Sequence, residues 1–129
     1  MLHTLRGLRA DKDIWTQPWA GASWEGFVIE QVLATLKTMG RSWEASFLRT
    51  KEGEELDLVL DHGHERWAVE IRMTAKPSPE DLGRLSKMAR LIGASRQILL
   101  SRLPGISGTK DVVLADLPGL LELLKASGA

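Results

Sequence analysis

The chain has no cysteine and no tyrosine, only two phenylalanines, and a formal net charge of zero. Without cysteine there is no disulfide framework, no thiol nucleophile and no thiolate-based zinc site, and the expected compartment is the cytoplasm. The 17 Lys and Arg are balanced by 17 Asp and Glu. That balance argues against a protein that coats nucleic acid or an anionic membrane by charge alone, so any basic surface has to be local. Long apolar runs are missing as well. Stretches such as Val112 to Ala115 fall far short of the roughly 18 residues needed to span a bilayer, and Met1-Leu2-His3 does not open a signal peptide. Membrane functions are disfavoured.

What is present suits a single folded domain. Leu, Ile, Val and Phe make up 27% of the 129 residues, above the roughly 20% below which charged chains tend to stay disordered. Residues 1–21 read as an N-terminal stub, a short helical turn and a loop, and residues 22–129 as one domain. The apolar Leu2, Leu5 and Leu8 belong to no complete element, so the stub reads as the tail of something that continues upstream.

From Ser23, a plausible N-cap, to Gly40, a plausible stop, the spacing predicts a long helix. At about 100° per residue, Trp24, Val28, Ile29, Val32, Leu33, Leu36 and Met39 share one arc, with Glu30, Lys37 and Thr38 opposite. Glu25 falls near the middle of the apolar arc, where an unpaired carboxylate is costly to bury. Three strands follow at Trp43–Arg49, Leu56–Leu60 and Trp67–Met73, the last two joined by a turn at Gly63. Ser78 and Pro79 open a second helix that buries Leu82, Leu85, Met88, Ala89 and Ile92 and stops at Gly93. Arg96–Ser101 is a buried strand, Pro104–Thr109 a connector, Asp111–Leu114 a short strand and Pro118–Lys125 a final helix. The fold class is α/β, a mixed sheet flanked by helices in the order helix, three strands, helix, strand, strand, helix.

One group of residues suggests chemistry. In Trp67–Met73, period two puts Trp67, Val69, Ile71 and Met73 on one face and Ala68, Glu70 and Arg72 on the other. Asp57 interrupts the preceding apolar strand, and hairpin pairing sets it beside Glu70 on the same face. Glu25, on a helix packed over that face, completes a set of three carboxylates and one guanidinium. Two carboxylates suit Mg²⁺, a hard cation that polarises phosphodiesters and activates water. The bland alternative is a cross-strand Glu70–Arg72 ion pair worth under about 1 kcal/mol if exposed. Three acids together at apolar positions favour an active site or its remnant.

The spacing Gly21-x-x-x-Glu25, then Glu55-Leu56-Asp57, then Glu70-Ile71-Arg72, resembles the PD-(D/E)XK, or restriction-endonuclease-like, superfamily. The phrases Leu2-His3-Thr4-Leu5, Gly21-Ala22-Ser23-Trp24-Glu25-Gly26-Phe27-Val28, Leu48-Arg49-Thr50 and Glu54-Glu55-Leu56-Asp57 also resemble a domain of unknown function found C-terminal to bacterial and archaeal AAA-type ATPase modules. The resemblance implies a restriction-endonuclease-like fold with Asp57 and Glu70 as metal ligands, Glu25 as an additional helix acid and Arg72 in the place of the usual lysine. It implies Mg²⁺ as cofactor, with Mn²⁺ serving in vitro, and DNA or RNA as substrate. Arginine departs from the pattern: bulkier and always protonated near neutral pH, it neutralises a phosphate or closes a salt bridge with Glu70 or Glu25, but cannot act as a base. The chain carries no G-x-x-x-x-G-K-[ST] signature, so the ATPase portion is absent from it.

Two functional readings result. One is a metal-dependent nuclease with weak or lost activity. The other is a non-catalytic module that pairs with itself as a homodimer or with an AAA-type ATPase. His62 and His64 read as hairpin polar residues rather than metal ligands. Arg84, Lys87 and Arg90 read as a solvated basic row, with a phosphate-tracking role as the sharper alternative. Trp24 and Trp67 read as core, and Trp15, Trp19 and Trp43 as core or partner surface.

Overall fold

The computed structural model describes residues 2–4, 24–39, 43–109 and 111–127. Among them the elements run β1 (Leu2–Thr4), α1 (Trp24–Met39), β2 (Glu44–Arg49), β3 (Glu55–His62), β4 (Glu65–Ile71), α2 (Pro79–Ile92), β5 (Arg96–Leu100), β6 (Ile106–Gly108), β7 (Val112–Ala115) and α3 (Leu117–Ser127). The seven strands form one sheet in the order β1-β2-β3-β4-β5-β7-β6. The first four are antiparallel, β4-β5 and β5-β7 are parallel, and β6 returns antiparallel on β7. The mixed α/β architecture and the predicted series from the first helix to the last are present. No helix among the described residues is long and apolar enough to cross a membrane.

Both faces of the sheet are covered, and its central strands are accordingly apolar on both sides. On one face α1 contributes Val28, Val32 and Leu36 and α3 contributes Leu120 and Leu124, packed on Leu58, Leu60, Trp67, Val69 and Ile98. On the other face α2 lays Leu85, Met88 and Ala89 over Val59, Ala68 and Leu99. Each fully buried aliphatic chain contributes roughly 1.5–3 kcal/mol.

The second helix is specified locally. Ser78 accepts the Asp81 N–H (3.2 Å) and Asp81 Oδ2 accepts the Ser78 N–H (3.1 Å), a reciprocal cap with Pro79 in the first turn. Gly93 closes the helix at φ 67°, the left-handed conformation that glycine adopts without strain. Gly83, exposed in mid-helix, leaves open space where a Cβ would stand, yet glycine costs about 1 kcal/mol relative to alanine in a helix interior. Gly83→Ala is expected to raise stability by about 0.5–1 kcal/mol, seen as a higher urea midpoint at unchanged slope.

Four expectations are corrected. Leu2–Thr4 is not a helical turn but a strand, paired with Ser46–Leu48; the open edge of β2 supplies backbone partners that a three-residue segment does not advertise in its own pattern. Ile106–Gly108, read as connector, is an edge strand on β7, again fixed by the neighbour's unpaired backbone. Met73 is not core: β4 ends at Ile71, and Met73 is 57% exposed. Finally, α1 packs on the face opposite Ala68 and Glu70, not over them. The Ser23 and Gly40 ends of α1, together with Trp15 and Trp19, lie outside the described residues.

Candidate active-site cleft

The cleft is made where a fault in the β2–β3 ladder meets the end of β4. Ser46 pairs with Val59 but Leu48 pairs with Leu56, so β3 carries one more residue than β2 between those pairs. The extra residue turns Leu56 toward α2 while Leu58 and Leu60 face α1 and α3. Asp57 sits at this fault. The β3–β4 pairing begins only at Leu58–Val69, and the Asp57 carboxylate substitutes for the missing backbone partner: Ile71 N–H donates to Asp57 Oδ2 (2.8 Å).

Glu70, opposite Asp57, is 3% exposed. Its Oε2 accepts Arg72 Nη2 at 2.7 Å and lies 3.4 Å from Arg84 Nη1. Arg72 also brings Nε within 3.4 Å of Asp81 Oδ1, an ion-pair distance without hydrogen-bond alignment. A cleft of about 400 Å³ is lined by Glu25, Gly53, Glu54, Glu55, Asp57, Glu70, Arg72 and Arg84. All four sequence-predicted residues, Glu25, Asp57, Glu70 and Arg72, therefore line one cleft. Glu25 arrives from the first turn of α1, where a carboxylate is favoured by the helix dipole, and not from an apolar arc laid over the carboxylates. Gly53 and Glu54 from the β2–β3 turn, Glu55 at the start of β3, Asp81 and Arg84 were not foreseen as site residues. Arg84 was visible as part of a basic row, but its target was not.

The electrostatics follow from burial. Desolvation pushes the Asp57 carboxyl from 3.8 to about 7, against the Ile71 N–H bond and the Arg72 charge and with the help of the Glu70 and Glu25 charges. Burial raises Glu70 too, opposed chiefly by Arg72. The rim acids are compensated elsewhere: Glu54 pairs with Lys87 at 2.8 Å and Glu55 with Arg49 at 2.9 Å.

The donor chemistry of Asp57 and Glu70 is that of a hard-cation site, but their arrangement does not fit one as it stands. Glu70 Oε2 is committed to two guanidiniums and Asp57 Oδ2 to an amide. Among the described residues no three His, Asp or Glu side chains are grouped to hold a metal ion. His62 is not near such a group either: it stacks on Trp43 (centroids 4.8 Å), which meets Trp67 edge-on at 5.2 Å.

Comparison with known proteins adds a family. Residues 20–118 match DUF4143, a domain of unknown function. Uncharacterized protein Rv2008c of Mycobacterium tuberculosis and uncharacterized protein Mb2031c of Mycobacterium bovis are each 36% identical to the chain over 78 residues. The match covers 60% of this chain and 17% of each relative, so the chain spans a small part of the length of the curated proteins it matches. No solved structure matches the chain. The matched segment runs from just before Glu25 through Asp57, Glu70, Arg72 and Arg84 to the start of the last helix, and on that match the chain belongs to the DUF4143 family.

Proposed function

We propose that this domain is a PD-(D/E)XK-like, nuclease-fold module whose hydrolysis of DNA or RNA phosphodiesters is weak or lost. One observation carries the reading: Glu70, buried beside Asp57 where the superfamily resemblance calls for a metal ligand, is held at 2.7 Å by Arg72 and approached at 3.4 Å by Arg84. The mixed sheet, the helix acid Glu25 in the same cleft and the hairpin that brings Asp57 to Glu70 support the nuclease-like part. The guanidinium clasp supports the loss of activity, because a fixed positive charge on Glu70 competes with Mg²⁺ or Mn²⁺ for the same oxygen.

Calorimetric Mn²⁺ titration and cleavage of plasmid and single-stranded DNA test this. The wild type is expected to cleave undetectably or slowly. Arg72→Lys, a smaller and more mobile cation, is expected to tighten Mn²⁺ binding and raise cleavage, and adding Asp57→Asn to abolish the gain. Robust Mg²⁺-dependent cleavage by the wild type that Arg72→Lys diminishes overturns the proposal.

A second reading, a non-catalytic module pairing with itself or with an AAA-type ATPase, draws on the exposure of Phe27, Met73, Leu91, Leu103 and Ile106. Absence of metal binding at millimolar concentrations in both the wild type and Arg72→Lys favours it.

A further inference from the structure

The two arginines of the cleft are not equivalent. Arg72 holds Glu70 in a hydrogen-bonded ion pair at 2.7 Å and lies 3.4 Å from Asp81 without hydrogen-bond alignment, and Asp81 is itself fixed by the Ser78 cap of α2. Arg72 thus sits between the end of β4 and the start of α2. Arg84 has a single ion pair among the described residues, 3.4 Å to an oxygen that already accepts the shorter bond from Arg72. Charge-assisted bonds are normally about 2.7–2.9 Å, so this contact is weak, and the Arg84 side chain is 42% exposed. Glu54 and Glu55 have Lys87 and Arg49, and Glu70 keeps the shorter Arg72 bond without Arg84.

Resting on the nuclease-like reading, we infer that Arg84, and not Arg72, is the residue that contacts a nucleic-acid phosphate. Arg84 leaves Glu70 for the incoming anion, while Arg72 stays as the residue that positions Glu70. The exchange costs little, because Glu70 keeps its shorter bond, and it places a five-donor planar cation on phosphate oxygens.

The probe is a fluorescein-labelled single-stranded oligonucleotide, its anisotropy followed across a salt series with the full chain and no divalent metal. Arg84→Ala is expected to weaken binding about fivefold and to flatten the dependence of log K on log salt by roughly the one phosphate contact removed. Arg84→Lys is expected to keep the wild-type slope. Arg72→Ala is expected to keep the slope but to lower the melting temperature by several degrees, whereas Arg84→Ala melts with the wild type. Binding by Arg84→Ala with the wild-type affinity and slope overturns the inference and leaves the nuclease-like reading standing. An Arg84→Ala protein that melts as low as Arg72→Ala also overturns it, since both arginines are then structural. A wild type that binds no oligonucleotide at low salt overturns the inference and the nucleic-acid reading together.

Discussion

Asp57→Asn is expected to make the folded protein more stable at pH 8 and to leave it nearly unchanged at pH 4. Burial lifts the folded-state pKa of Asp57 from 3.8 to about 7. The folded chain therefore holds a proton that the unfolded chain has already released, and stability must fall as pH rises between those values. The stabilisation is fully present below the unfolded value and gone above the folded one. At about 1.4 kcal/mol per unit, the shift corresponds to a loss on the order of 4 kcal/mol across that window, and the raised Glu70 adds a change of the same sign. Asparagine accepts the Ile71 N–H through its carbonyl oxygen and has no charge to desolvate, so the slope attributable to Asp57 disappears. Urea denaturation of both proteins at pH 4, 6 and 8 reads this directly. A wild-type stability that is flat or rising from pH 4 to 7 contradicts it.

Trp67→Ala is expected to cost about 3–5 kcal/mol, enough to unfold much of a marginally stable domain. Trp67 is completely buried on β4, two residues past the hairpin pair His62–Glu65. Its ring meets Trp43 edge-on and carries the Arg96 guanidinium at 4.8 Å, and its indole N–H donates to Glu65 Oε1 at 3.3 Å. Removing the ring opens a cavity in the core under α1 and α3 and takes from Trp43 its edge-on contact and from Arg96 its aromatic face. Trp67→Phe keeps most of the volume and is expected to cost about 1–2 kcal/mol, the lost hydrogen bond and part of the cation–π contact. Far-ultraviolet circular dichroism in urea measures both, and a Trp67→Ala loss under about 1 kcal/mol contradicts this account of the core.

The two predictions concern opposite faces of one sheet. β4 presents Trp67, Val69 and Ile71 to α1 and α3, and Ala68 and Glu70 to the side that α2 covers. Its pairing with β3 and its packing set Glu70 opposite Asp57 in the cleft. Loss of packing at Trp67 is therefore expected to loosen the cleft as well as the core, whereas Asp57→Asn alters the cleft and spares the core.

The sequence by itself determined those features whose causes lie within a few residues. Ser78, Pro79, Asp81 and Gly93 write the two ends of α2 into local backbone chemistry, and strict period two assigns Trp67, Val69 and Ile71 to one face and Glu70 to the other. Gly63, at φ 59° in the β3–β4 turn, makes the hairpin legible, and with it the meeting of Asp57 and Glu70. Tertiary structure alone decided what depends on distant partners. Leu2–Thr4 and Ile106–Gly108 are strands because β2 and β7 offer them unpaired backbone, not because three residues carry a pattern. The layer on which α1 packs, and hence the route by which Glu25 reaches the cleft, depends on how two apolar faces are shared among three helices. The choice of Asp81 and Arg84 as partners of Arg72 and Glu70 was hidden for the same reason: ion pairs form between whichever charges the packed sheet and helix bring within reach, and periodicity says only which side of its own element a charge leaves from.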